Sequence, residues 1–508
     1  MEECMHRAKT IGELRESGYR VRPVKEEIRS NLILKIERRE KLFPGIVGYG
    51  KTVVPQIVNA LLAQHDFILL GLRGQAKTRI IRDLVHFLDP ETPVIKGCDI
   101  FENPFRPITK RGRALVEDHE DDVEIEWIPA EERYNEKLAT PDVSMADLIG
   151  DIDPIKAAHE RLSFSDQAVI HYGIIPRTHR GIFAINELPD LAPRIQVGLL
   201  NIMEERDIQI RGFPVSFPID ILIVFSANPE DYTNRGNIIT PLKDRIDSQI
   251  MTHYPRSLGD SRRITEQEAW SDRGHDLRVP AHVREIVEEI AFEARRCEFV
   301  DQNSGVSQRM TISAYESLLS NMERRGLATG ESVLHPRVAD LYAMVPAVTG
   351  KIELVYEGEQ EGASTVARDL VGRAVKKVFL EHFPDPRGRE EAPAPGEDRR
   401  GEGSEPERIA SIYSPVMRYF QEGKRVEVSD TMPVSEYREA LQRVTGLEEL
   451  TRSHMKLERE DELPGAMEFV LEGLYQTSNV AKENLDDATL YSDMIMRMFR
   501  DMPSRDEV

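Results

Sequence analysis

Cysteine is scarce in this 508-residue chain: Cys4, Cys98 and Cys297 lie far apart, with no Cys-x-x-Cys pair. Three such residues build neither a disulfide framework nor a zinc cluster, and this usage fits a reducing, cytoplasmic compartment. No apolar run of about 18 residues occurs, so no transmembrane helix and no membrane association are expected. The start, Met1-Glu-Glu-Cys-Met-His-Arg7, lacks the basic-then-apolar layout of a signal peptide. Positive charge is also in deficit, with 67 Lys+Arg against 89 Asp+Glu and a net charge of −22. Coating of nucleic acid relies on cations that displace phosphate counterions, so the balance argues against that class.

What is present is a globular chain, 40% hydrophobic and 31% charged, long enough for several domains. Residues 1–42 read as a charged helical segment, with Ile28, Leu32, Ile33 and Ile36 at helical spacing. From Phe43 the texture changes. Apolar runs at Phe67 to Leu70, Gly181 to Ile185 and Ile221 to Phe225 alternate with helical patterns, as buried parallel strands of an α/β sheet do. We therefore expect an α/β nucleotide-binding domain over 43–255 and an α-helical lid over 256–383. Residues 384–409 hold almost no apolar side chain and read as a disordered linker, followed by a small helical module over 410–508.

Two segments compete as a phosphate loop. Gly45-Ile-Val-Gly-Tyr-Gly-Lys51-Thr52 matches G-x-x-x-x-G-K-[ST] literally, whereas Gly71-Leu-Arg-Gly-Gln-Ala-Lys77-Thr78 has Ala76 for the last glycine. A phosphate loop must leave a buried strand and open a helix, so that backbone N–H groups converge on the phosphates. The second segment follows His65-Asp-Phe-Ile-Leu-Leu70 and precedes an amphipathic helix; the first follows a charged helix. Ala76 is acceptable if that position has ordinary helical φ/ψ, where a methyl group is tolerated. Lys77 would then reach the β/γ-phosphates and the Thr78 hydroxyl would ligate magnesium.

Two more strand ends carry polar tips. Gly181-Ile-Phe-Ala-Ile-Asn186-Glu187 offers a metal-side group followed by a carboxylate able to polarise water. Ile221 to Asn228 ends in an amide that could hold that water or the γ-phosphate. Alone, each tip reads as ordinary turn chemistry; the three together point to nucleoside triphosphate hydrolysis.

On these residues the sequence resembles the AAA+ ATPases, and among them the magnesium-chelatase ATPase-subunit and MoxR group, over roughly residues 40–350. Phe43-Pro-Gly-Ile-Val-Gly48 looks like that group's adenine-pocket segment, which puts Ile46, Val47 and Gly48 beside the nucleotide. Residues 149–181 resemble its helix-2 insertion, and Leu200 to Gly212 its helix and hairpin before sensor 1. The resemblance implies ATP and Mg²⁺ as cofactors. Gly71, Gly74, Gln75, Ala76, Lys77, Thr78 and Arg79 would form the phosphate loop, with Thr78 and Asn186 on the metal side. Glu187 would be the catalytic base, Asn228 sensor 1, Arg245 the arginine finger (Arg235 competing) and Arg309 sensor 2. It also implies a homo-oligomeric, typically hexameric ring that remodels a protein partner, often one with a von Willebrand A domain.

Asn186 departs from the aspartate usual in that group. We expect weaker magnesium coupling and slow turnover, which Asn186→Asp should speed. A second departure is the long interval before Asn186, with the acidic run Glu117 to Glu126, read as a solvated insertion. Two further readings are a nucleotide-gated scaffold with weak hydrolysis and a magnesium-porphyrin chelatase subunit. A transcription activator of the enhancer-binding type is disfavoured, since no GAFTGA-type loop lies between Thr78 and Glu187 and no basic helix-turn-helix is evident in 410–508.

Overall fold

The structure is a computed structural model and describes residues 7–160, 169–209, 216–228, 237–387, 405–485 and 488–494. The chain divides into two compact units, Met1–Tyr254 and Pro255–Val508.

The first unit is built on five parallel strands: β1 (Phe67–Leu70), β2 (Tyr134–Leu138), β3 (Gly181–Asn186), β4 (Ile221–Ala227) and β5 (Ser248–Met251). Their spatial order is β5-β1-β4-β3-β2. Every residue of β1, β3 and β4 is buried, which explains their unbroken apolar runs. The edge strands β2 and β5 carry polar residues, including Glu136 and Lys137, because only one side of an edge is paired.

Side chains alternate between the two faces. Phe67, Leu69, Ile182, Ala184, Leu222 and Val224 face a layer formed by α1 (Val24–Glu37), α2 (Val53–Leu62) and α3 (Lys77–Asp83). Ile68, Phe183, Ile185, Ile223 and Phe225 face α4 (Pro193–Glu204), through Ile195, Leu199 and Ile202. The stretch expected as an N-terminal helical segment is thus part of this unit's core. Its buried stripe is Val24, Ile28 and Leu32, while Ile36 is 42% exposed at the helix end.

Arg133 locks α1 to the sheet. Fully buried, it donates two 2.8 Å bonds to the Glu27 carboxylate and a third to the Arg180 carbonyl oxygen. The acidic run is helix, 3₁₀ turn and strand start, with Glu117, Asp118, Glu120, Asp121, Asp122, Glu124 and Glu126 all exposed. Ile125–Pro129 pairs antiparallel with Glu91–Ile95. The stretch before sensor 1 forms a hairpin, Asp207–Gln209 with Ser216–Pro218.

The second unit has one apolar core, around α6 (Ala281–Ala294), α7 (Arg309–Thr329), α8 (Ala363–His382) and α9 (Leu463–Gln476); α5 is Thr240–Arg245, in the first unit. Ile286, Leu318 and Leu370 share this core with Phe420, Leu441 and Phe469. The stretches expected as lid and C-terminal module therefore bury their apolar faces in a common interior. The later stretch is also not wholly helical. Val426–Ser429 and Ala481–Asn484 flank Ala488–Ser492 in an antiparallel sheet. Of the expected linker, 388–404 lie outside the described residues, and the helix Glu405–Gln421 begins within its remainder. Among the described residues no helix is long and apolar enough to cross a membrane, and Cys98 and Cys297 are free thiols.

Candidate active site

The loop of residues 71–76 joins β1 to α3 at the carboxyl end of the sheet. Gly71 N–H donates to the Ala227 carbonyl oxygen at 3.2 Å, which ties the start of the loop to the tip of β4. A Cβ at Gly71 would lie 1.9 Å from Thr252 Oγ1 and 2.2 Å from Gln75 Oε1, so the position admits only glycine. Thr252 donates its hydroxyl to Gln75 Oε1 at 2.6 Å, and Tyr254 donates to the Arg73 carbonyl oxygen at 2.9 Å. Lys77 is 7% exposed, its amine turned into the loop to donate to the carbonyl oxygens of Gly71 and Leu72.

Ala76 corrects an expectation. Its backbone is left-handed, φ 58° and ψ 16°, and not in the right-handed helical region. The loop must reverse there to aim its N–H groups inward, and alanine adopts that conformation at a cost of roughly 1–2 kcal/mol.

The literal motif lies alongside this loop. Lys51 is exposed, and the segment leaves a turn after α1 where a phosphate loop would leave a strand. Its neighbours grip the 71–76 loop. The buried Tyr49 hydroxyl lies 3.0 Å from the Gln75 carbonyl oxygen and 2.6 Å from that of His253, and burial pushes its pKa up to about 12. Gly45 sits under the Arg79 guanidinium, where a Cβ would come within 2.4 Å of Nη2. Ile46, Val47 and Gly48 are held between these two contacts; Gly48 has φ 80°.

The tips of β4 and then β3 follow β1 at the same end of the sheet. Asn186 is buried, and its Oδ1 accepts from Ser226 Oγ at 3.1 Å. Glu187 has a left-handed φ of 56° that turns the chain out of β3, and its N–H donates to Ser226 Oγ at 3.3 Å. Asn228 Oδ1 is buried with no hydrogen-bond partner among the described residues. An unpartnered buried acceptor at the end of β4, the strand between β1 and β3, suits a water or phosphate group.

Sequence reasoning missed Glu136. It lies on β2, whose Tyr-Asn-Glu-Lys-Leu sequence has no strand signature. Its carboxylate accepts from Arg82 on α3 and from the Tyr134 hydroxyl at 2.8 Å, and strand register puts it on the same sheet face as Asn186. The Arg82 hydrogen bond above all holds its pKa below the usual carboxylate range.

The remaining arginines have partners of their own. Arg245, closing α5, is held by Glu204 at the end of α4 and by the Pro241 carbonyl oxygen at 2.9 Å. Arg235 lies outside the described residues. Arg309 is exposed at the start of α7 in the second unit, beside the buried Gln308, which donates to Ser261 Oγ at 2.6 Å and Thr311 Oγ1 at 2.8 Å.

The donor set fits a nucleoside triphosphate: a loop that starts on a closely packed glycine, an inward lysine, the helix α3 behind it and an unpartnered amide oxygen at the end of β4. It also fits magnesium carried by that triphosphate, with the half-buried Thr78 and Asn186 on the metal side. Among the described residues no cluster of three His, Cys, Asp or Glu would hold a metal unaided.

Residues 157–249 match the family described as the Sigma-54 interaction domain; the segment carries Asn186, Glu187, Asn228 and Arg245, but not the 71–78 loop. The Archaeal Lon protease of Thermococcus kodakarensis is 27% identical over 174 residues, covering 29% of this chain and 25% of its own length. NtrX from Brucella abortus in complex with ADP has a TM-score of 0.36 and 12% identity over 62% of this chain and 58% of that one. The complex of subunits BchI and BchD of magnesium chelatase gives 0.33 and 18%, over 67% and 94%. The chain thus spans a quarter of the length of the curated relative that it matches. With its five parallel strands and helical C-terminal part, the chain has the AAA+ P-loop fold, and its 157–249 segment is similar to the Sigma-54 interaction domain.

Proposed function

We propose that this protein binds ATP with magnesium at the 71–78 loop and hydrolyses it to remodel a protein partner, as a homo-oligomer with its active sites at subunit interfaces. The buried Lys77, in a loop that only glycine can start, carries the reading. Backbone N–H groups of the loop and the Lys77 amine bind the β- and γ-phosphates. Glu187 takes the proton of the attacking water, and Asn228 orients that water. Arg245 from a neighbouring subunit, released from Glu204, stabilises charge on the transferred group, while Arg309 serves as the sensor 2 arginine that the resemblance implies. Magnesium, when bound with the triphosphate, neutralises its oxygens. A hexameric ring and a partner with a von Willebrand A domain belong to this reading through the magnesium-chelatase and MoxR resemblance.

Two observations favour other readings. The uncharged Asn186 favours a nucleotide-gated scaffold with weak hydrolysis. The Sigma-54 interaction match favours a transcription partner, although no GAFTGA-type loop lies between Thr78 and Glu187.

The test is steady-state ATPase activity with Mg²⁺ across protein concentration, for wild type, Lys77→Ala, Lys51→Ala and Glu187→Gln. Activity should rise with assembly, survive loss of Lys51, and fall about 10²-fold or more without the base Glu187. Lys77→Ala should lose ATP binding as well. Equal losses in Lys51→Ala and Lys77→Ala would reject this assignment of the loop; ATP binding with no turnover would select the scaffold.

A further inference from the structure

A cleft of about 740 Å³ opens in the first unit at the amino end of the sheet, where residues 219–221 enter β4 and Gln64 lies just before β1. The 71–78 loop leaves the carboxyl end of β1, so the cleft and the candidate active site lie at opposite ends of the same strands. The cleft walls carry five cations, Arg20, Arg22, Lys25, Arg106 and Arg206, against one carboxylate, Asp220. In a chain with a net charge of −22, this surface runs against the composition.

Three of the cations are answered from behind the wall. Arg22 pairs with Asp89 at 2.8 Å. Lys25, at 2.9 Å, and Arg206 share the single carboxylate of Asp66, which is 1% exposed. The sharing leaves Arg206 short of acceptors: Nη2 is bonded to Asp66, and Nη1 is buried with no hydrogen-bond partner among the described residues. A buried N–H without an acceptor carries its desolvation cost uncompensated. Asp220 does not fill the gap, since both its oxygens accept from the Val24 backbone N–H at 3.0 Å. Arg20 and Arg106 are exposed, and neither side chain has an ion pair or hydrogen bond among the described residues.

Positive charge is thus built into the wall of the cleft as well as displayed on its rim. A concave surface of one sign concentrates the field felt by an incoming anion. Guanidinium forks match the paired oxygens of phosphate and carboxylate groups. Two features select phosphate on a small molecule. The two arginines without partners match the roughly −1.5 to −2 charge of a phosphate ester at neutral pH, where a carboxylate carries one. The volume falls in the range of small-molecule clefts, about 300–1,000 Å³, and the half-buried Tyr19 and Phe105 give the cleft an apolar side for the rest of the ligand.

We propose that this cleft is a binding site for a small phosphate ester, separate from the 71–78 loop, with Arg20 and Arg106 holding the phosphate group and Arg206 adding positive charge from the wall. The site stands whether or not the loop binds ATP.

The experiment is equilibrium dialysis of full-length protein against radiolabelled inorganic phosphate. It is done in a Lys77→Ala background, so that phosphate held by the loop does not count. Saturable binding is expected there. Adding Arg20→Gln/Arg106→Gln should weaken it by about tenfold or more, the loss of charge-assisted hydrogen bonds. Both side chains are exposed and unpartnered, so the thermal midpoint should stay where it is. Arg425→Gln/Arg443→Gln, which removes the same two charges from exposed positions in the second unit, should leave the affinity unchanged. Sulfate and glycerol phosphate should displace the label, and acetate at the same concentration should not.

No saturable binding, an unchanged affinity in Arg20→Gln/Arg106→Gln, or an equal loss in Arg425→Gln/Arg443→Gln overturns the proposal. Displacement by acetate as readily as by sulfate does so too, since the cleft would then be a carboxylate site. A phosphoserine peptide that binds where phosphate and glycerol phosphate do not would also overturn it and assign the cleft to a modified protein.

Discussion

Ala76 and Glu187 both hold left-handed backbone, one at the end of the phosphate loop and one where the chain leaves β3. Strain of this kind persists only where surrounding structure imposes it, and it gathers at functional sites. At Ala76 the strain is removable. Ala76→Gly should stabilise the first unit by about 0.5–1 kcal/mol, the relief of left-handed alanine less the extra entropy of unfolded glycine, read as a raised denaturation midpoint. Gly71→Ala should act in the opposite sense. Its methyl would meet Thr252 and Gln75, so ATP binding should be lost while the far-UV circular dichroism is kept.

The element that most depends on a single side chain is α1. Its apolar stripe of Val24, Ile28 and Leu32 lies on the sheet face, and the buried Arg133–Glu27 pair fixes its position. Glu27 Oε1 also accepts from the Asp89 backbone N–H at 2.7 Å, so three chain segments converge on one carboxylate. Removing one partner of a buried, hydrogen-bonded pair strands the other charge. Arg133→Met should therefore cost about 3–5 kcal/mol in equilibrium denaturation, and Arg133→Met/Glu27→Met less than the single change. A double variant as unstable as the single one would show that packing, and not the stranded charge, dominates the loss.

At the scale of the molecule, each unit holds a fully buried histidine whose pKa burial lowers to about 3. His179 in the first unit accepts the Asp220 backbone N–H at 3.2 Å, and His282 in the second lies against the Phe469 ring, with centroids 4.9 Å apart. In the unfolded chain both titrate near 6.5. Below that pH the unfolded state binds protons that the folded state refuses. Their contribution is thus fully present above pH 6.5 and is lost as pH falls toward 3, at up to about 1.4 kcal/mol per pH unit for each histidine. Thermal unfolding followed from pH 7 to 4 should show this fall, and His282→Phe should flatten it for the second unit alone.

The central strands were legible because burial on both faces demands unbroken apolar runs, and β1, β3 and β4 have them. Their polar tips were legible for the same reason: Lys77, Asn186, Glu187 and Asn228 stand where those runs end. The second loop was chosen on local context, and the structure has a strand ending at Leu70 before it and a helix opening at Lys77 after it. The strands β2 and β5 were not legible, since an edge strand is paired on one side and tolerates polar residues that no periodicity separates from a loop. Glu136 was hidden with β2. Its place on the same sheet face as Asn186, fifty positions on in sequence, is created only when β2 docks beside β3. The left-handed turn at Ala76 was also a tertiary decision, since alanine by itself favours the right-handed helix and only closure of the loop between β1 and α3 reverses it. Local chemistry and burial thus determined which residues could serve the site; long-range strand pairing decided which of them touch.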